Sequence, residues 1–514
     1  MPASIKRITY TFFGFAALGT LFFFFPYRIG SNQSLYLKIA ELMMAGARPY
    51  VDVLDFNPPL IYYLSCIPIA LHRFLGLEYV PAFVLPVFLL IWFCAARTFK
   101  LTQAASLECS LFILPLLLVS TKGYGDRDHL FAVTLMPYIF LRLRKLNSQT
   151  VSGGTWLGGL CGLMAALKPY FILQVILLES YFIFKTRKLK QLLQPEVVAV
   201  FSLQVLYVAH FFLLTREIRQ AFFFEIVPMT IAGYSSMGKT AWGLFESARI
   251  FLAQLLAVAA LAYWRWGSLG SKEKDVCHVL FVAALAGFSG FLLQFKGWDY
   301  HLIPARYPLF ALLFYLASGT SMNWRKRILS VICAVLFLIP GWRPTEAMLG
   351  FSVPQNSFWD TYRFVDRNMS TYLKQGDRIA IFSPTTMFYY PPILLRGYEL
   401  GTRYSTYYPL AFFNNRYLTD QTRPYPYKTY SVMPTDEKIF IDRIREDVAT
   451  NKPMLLVFPI VQTETYLPGN FNVFKYFETA GLWAEWQDRY ELVETDNDVL
   501  VYRRRTISTD NKSN

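Results

Sequence analysis

Four short runs of this chain hold side chains suited to acid–base or phosphate chemistry. The first, within Gly30–Leu64, carries Asn32, Asp52, Asp55 and Asn57. The second is Lys122-Gly-Tyr-Gly-Asp126-Arg127-Asp128-His129, the third Lys168-Pro169-Tyr170, and the fourth Lys296-Gly-Trp298-Asp299-Tyr300-His301. Each adjoins long apolar stretches. Ionisable groups in that setting face a cavity, pair with one another or mark a substrate path. A carboxylate can accept a proton, while lysine, arginine and histidine can hold a phosphate. The combination suits transfer of a group from a phosphate leaving group to a hydroxyl or amine, with the basic side chains stabilising the departing charge. Plainer readings stand beside it. Lys168 and Lys296 can snorkel to an interface, and acids of an outer loop can simply be solvated. The Asp126-x-Asp128 spacing also suits a divalent cation held through carboxylate oxygens, and pairing with Arg127 explains the same acids equally well.

The surrounding elements follow from composition. The 514 residues are 54% hydrophobic and 18% aromatic, with only 17% charged, against about 25% charged in an ordinary soluble chain. The mean hydropathy is +0.32. Apolar runs continue to about residue 341, and composition then becomes ordinary. The expected fold is a polytopic α-helical membrane domain over 1–341, an extracytoplasmic α/β domain over 342–505 and a disordered tail over 506–514. Candidate spans are 8–26, 58–75, 79–98, 105–120, 129–142, 154–166, 170–185, 197–215, 247–263, 277–294, 302–318 and 327–341. The first is read as a retained signal anchor.

The net charge of +15 is concentrated at Lys6-Arg7, Arg142 to Lys145, Lys185 to Lys190, Arg265 to Lys274 and Arg325 to Arg327. That is the positive-inside pattern, and it argues against nucleic-acid binding. It places the N-terminus in the cytoplasm and the four polar runs outside, with the C-terminal domain. An inside N-terminus and an outside C-terminus require an odd number of crossings. Twelve candidates therefore become 11–13 helices, with the miscount lying between 58 and 130. No CxxC pair or disulfide framework is present.

Within the outer loop 27–57, Leu35, Ile39, Leu42 and Met43 recur at helical spacing with Lys38 and Glu41 between them. This predicts a short helix lying on the membrane surface. Residues 216–246 read as a surface lid or as amphipathic filler. In the C-terminal domain, 377–383 and 454–460 read as buried strands, 437–450 as an amphipathic helix, 490–504 as a hairpin turning at Asp496-Asn497-Asp498, and 384–432 as loop.

The outer loop with its G-x-x-P-Y-x-D-x-x-D-x-N-P-P-L run, the lysines between apolar runs and the external C-terminal domain together resemble the GT-C glycosyltransferases. The likeness is to protein O-mannosyltransferases and lipid A aminoarabinose transferases, and it is strongest over residues 28–64. The resemblance implies a polyprenyl-phosphate sugar donor and an acceptor that is a glycan, a lipid or a protein. It also implies an external site in a bacterial inner membrane. The family's first catalytic acid aligns with Asn32, which cannot take a proton, and its second with Asp55. Asp55 or Asp52 is then the base, an acid of 126–128 substitutes, or transferase activity has been lost. By the same resemblance Arg127, His129, Lys168, Lys296 and His301 line the phosphate side, with Asn57, Asp126, Asp128 and Tyr300 nearby. No cofactor is implied with certainty, a divalent cation being possible. A silent scaffold in envelope polysaccharide assembly and a lipid or sugar transporter are the competing readings. A transporter should show an internal repeat, and none is visible.

Overall fold

The computed structural model describes residues 29–102, 123–147, 149, 151–236, 238–317, 357–386, 389–417, 425–459, 467, 471–496 and 499–505. The expected spans 8–26, 105–120 and 327–341, Lys122, the hairpin turn at 497–498 and the tail from 506 lie outside these residues. The chain forms two compact units. One comprises 1–30, 67–213 and 238–353, and the other 31–66, 214–237 and 354–514.

The first unit is helical. Four of its helices are long and apolar enough to cross a membrane: Tyr79–Thr98, Pro195–Leu213, Ala241–Ser268 and Ser271–Gln294. These helices suggest membrane association. Arg127–Leu146, Pro169–Thr186 and Ile303–Ala317 are also helical where spans were expected. Gly154, Gly158 and Gly162 form a stripe at four-residue spacing along the helix Gly154–Ala165, which packs against Pro195–His210. A Cβ at Gly158 would lie 2.1 Å from the Glu196 carbonyl oxygen, and one at Gly162 would lie 2.8 Å from that of Val200. Small residues allow this backbone approach. Gly158→Ala is therefore expected to cost about 1–3 kcal/mol through overpacking, read as a lowered melting temperature in detergent. Gly159→Ala serves as the control, since a Cβ there meets nothing within 4 Å.

Arg142 and Lys145 were expected to be loop charges that set topology. The structure instead buries Arg142 at 1% exposure. Its guanidinium donates to Glu179 at 2.9 and 2.7 Å and to Glu196 at 2.9 Å, and Lys145 donates to Glu196 at 2.6 Å. The Tyr138 hydroxyl also donates to Glu179, at 2.7 Å. A charge neutralised in this way is not an exposed cationic flank, so Arg142 does not act as a positive-inside signal.

The second unit contains a five-stranded sheet in the order β2-β1-β3-β5-β4. The strands are β1 Arg378–Ile381, β2 Glu399–Leu400, β3 Leu455–Pro459, β4 Tyr490–Asp496 and β5 Val499–Arg504. β1 runs parallel to β2 and β3, while β5 runs antiparallel to β3 and β4. All five β3 residues are buried, as expected of a central strand covered on both faces. Phe382 stacks on Phe458 with ring centroids 4.3 Å apart. The helix Thr435–Asn451 buries Phe440, Ile441, Ile444 and Val448.

Two expectations differ from what this unit shows. The helix Ser31–Met44 forms, but all of Gln33–Ala40 is buried, so it is not a surface helix with one solvated face. Lys38, only 1% exposed, bonds Glu41 at 2.8 Å and Glu399 at 3.0 Å. Residues 384–432 are not loop throughout, because Tyr390–Leu395 and Pro409–Tyr417 are helical. Proline at the first helical positions of each supplies the fixed φ that favours a helix start. Within 216–246 the chain is largely helical. Arg216–Gln220 passes through a π-helical turn, Ala221–Ile226, into Val227–Ser236. Phe222 packs on Tyr50 at 4.9 Å, and Glu225 pairs with Arg443 at 2.8 Å.

Candidate phosphate-binding site

The first unit collects three of the four polar runs. Asp126 caps the helix Arg127–Leu146, its side chain accepting from the Arg127 N–H. Gly125 precedes it at φ +73°, and a Cβ there would meet the Phe83 ring at 2.4 Å, so only glycine fits both conformation and space. The turn places the Gly125 N–H 3.0 Å from His129 Nδ1, to which it donates. With Nδ1 accepting, the neutral ring carries its proton on Nε2. That Nε2 is buried and has no hydrogen-bond partner among the described residues. The Tyr124 and Tyr307 rings pack around this imidazole.

Lys168 sits at the N-cap of Pro169–Thr186, where Pro169 starts the helix. Its ammonium donates to Asp128 Oδ2 and lies 5.2 Å from the centre of the Tyr300 ring. Asp128 is fully buried, and its other oxygen, Oδ1, has no partner among the described residues. Lys296, 5% exposed, lies in the turn before His301, with its ammonium 4.5 Å from the Trp298 ring centre. Burial, then the positive charges of Lys168 and Arg127, push this ammonium down to about 5. An anion arriving beside it would favour its charged form. His301, 3% exposed, lies within electrostatic reach of Lys168, Lys296 and Arg127. Its Nδ1 has no partner among the described residues. With its ammonium pushed down to about 5, Lys296 is uncharged near pH 7, so Arg127 and Lys168 balance Asp126 and Asp128. An anion arriving here would be compensated as Lys296 regains its proton.

Two features escaped sequence reading. Arg306, 4% exposed, makes a two-pronged contact with Asp299 at 2.9 and 2.6 Å, fixing the turn that carries Tyr300 and His301. Gln174 donates to the carbonyls of Ala283 and Pro304 at 2.9 and 3.0 Å, joining three helices beneath the site. An arginine just inside an apolar helix was the available signal for the first.

A divalent cation finds a poor donor set here. Asp126 is occupied by its helix cap and Asp128 by Lys168. Among the described residues no three His, Cys, Asp or Glu side chains form a metal-binding group. The two acids do not fit a divalent ion.

Asn32, Asp52, Asp55 and Asn57 belong to the other unit. Asp55 is 3% exposed, and its carboxylate accepts from the Tyr62 hydroxyl, from Asn57 Nδ2 at 2.7 Å, from the Asn57 N–H at 3.2 Å and from Ser405 Oγ at 2.8 Å. The backbone repeats this tie, Leu54 N–H donating to Arg403 and Ser405 N–H to Leu54. The arrangement is that of a carboxylate joining the outer loop to the 403–405 segment. Asp52 is exposed and gripped by Arg48 at 2.9 and 2.8 Å, which holds its carboxyl below the ordinary range. Asn32 Oδ1 accepts from Thr386 Oγ1 at 3.1 Å.

Among known proteins, no family model matches the chain, and no curated protein matches it.

Proposed function

We propose that this chain is a polytopic inner-membrane glycosyltransferase that moves a sugar from a polyprenyl phosphate to an extracytoplasmic glycan, lipid or protein acceptor. In this reading the N-terminus is cytoplasmic and the C-terminal domain extracytoplasmic. The observation that carries it is the buried cluster of Arg127, Lys168 and Lys296, with His129 Nε2 and Asp128 Oδ1 lacking hydrogen-bond partners among the described residues. The donor's phosphate is the anion that would draw the proton back to Lys296. The acceptor oxygen bonds to the anomeric carbon, the bond from that carbon to the phosphate oxygen breaks, and the acceptor's proton passes to a carboxylate. Asp128 Oδ1 has no hydrogen-bond partner among the described residues, whereas both oxygens of Asp55 already accept hydrogen bonds. A phosphate drawing Lys168 toward itself would free Asp128 further.

Transfer of labelled sugar from polyprenyl-phosphate donors into membranes lacking the protein is the direct measurement. Asp128→Asn is expected to lower the rate about 10²- to 10⁴-fold, the span of general-base catalysis. Asp55→Asn should change it only a few fold. The reverse ranking would return the base to Asp55. A second reading, a silent scaffold, is favoured by the structural bonding of Asn32 and Asp55. It prevails if the wild-type chain transfers from no donor.

A further inference from the structure

Trp156 stands 83% exposed on the helix Gly154–Ala165, and a cavity opens on each side of it. One holds about 680 Å³ and runs between this helix and Pro195–His210, walled by Leu160, Leu163, Val198 and Leu203. The other holds about 490 Å³ and is walled by Leu90, Phe93, Leu157 and Leu160. Trp156 and Leu160 line both. The second also carries Arg97, whose guanidinium lies 5.3 Å from the centre of the Phe93 ring. No acid lines either cavity among the described residues. The carboxylate that comes near the start of this helix, Glu196, is neutralised by Arg142 and Lys145. The result is two apolar channels that meet at one tryptophan, with a single positive charge on the wall of one.

We propose that this double groove binds one anionic two-chain glycerophospholipid of the surrounding membrane. Its acyl chains would lie on the two sides of Trp156 and its phosphate against Arg97. Two chains joined at one anionic head match two channels joined beside one cation. A basic residue between apolar helices is how anionic head groups are recognised, and tryptophan suits the boundary between tails and heads. The site is separate from the Lys168 cluster and uses none of its residues. The inference rests on the membrane placement argued above, not on transferase chemistry.

The test uses the full chain purified into nanodiscs of equal phosphatidylglycerol and phosphatidylcholine, with retained lipid read by native mass spectrometry. Wild type is expected to retain phosphatidylglycerol about tenfold over phosphatidylcholine, the worth of one charge-assisted hydrogen bond. Arg97→Gln should abolish the preference, and Arg97→Lys should keep most of it. Trp156→Ala should lower retention of both lipids. Both side chains are exposed, so unchanged melting temperatures will show that the variants fold. Equal retention by wild type, or a preference that survives Arg97→Gln, overturns the proposal. A chain that stays in solution without detergent fails earlier, by refuting the membrane placement itself.

Discussion

Lys168→Met is expected to abolish sugar transfer and to destabilise the chain, and a second substitution should separate the two effects. The lysine and Asp128 are 6% and 0% exposed, and each is the other's direct ionic partner. Removing the cation leaves a buried carboxylate uncompensated, which typically costs about 3–5 kcal/mol. It also removes one of the groups proposed to hold the departing phosphate, and loss of such a donor typically costs 10²- to 10³-fold in rate. Lys168→Met with Asp128→Asn deletes both charges, so the melting temperature should recover most of the loss. Donor binding should not recover, because two neutral side chains cannot replace an ammonium at a phosphate. Binding of labelled polyprenyl-phosphate sugar and thermal melts in the same detergent read both effects. Recovery of donor binding in the double variant would reduce Lys168 to a counter-ion for Asp128 and remove it from the phosphate site.

Lys168 was legible because a lysine before proline, between two apolar runs, has few reasons to exist. Its partner was not. Asp128 lies 40 positions away, and which of several acids meets a given lysine depends on helix packing that no local pattern encodes. The same limit misplaced Lys38. Its spacing fits an amphipathic surface helix, but the helix is enclosed and the lysine is satisfied by Glu399, 361 residues distant. β3 was readable because Leu455–Pro459 is a continuous apolar run, whereas the two-residue β2 carries too little pattern to register. Asp55 shows a different failure. A motif marks it, and the motif is silent on whether four donors will occupy the carboxylate. Arg142 shows a third: a cluster of basic residues at a helix end fits a topological signal until Glu179, inside an apolar run, and Glu196, at the start of one, are brought against it.

That pairing carries a stability effect as large as that of the Lys168–Asp128 pair. Arg142→Met would strand Glu179 and leave Glu196 with Lys145 alone, all at the end of a tightly packed glycine stripe. Breaking a buried pair from one side costs about 3–5 kcal/mol, enough to keep much of the chain from accumulating. Arg142→Met with Glu179→Gln is the informative partner. It removes one charge of each sign, leaves Lys145 and Glu196 matched, and still lets Tyr138 donate to an oxygen at position 179. Most of the lost melting temperature should return, because the penalty belongs to the unpaired charge rather than to the missing contacts. If the two variants melt alike, the destabilisation comes instead from lost packing of the guanidinium against Phe182, 4.9 Å away. The network would then be filling space and not balancing charge.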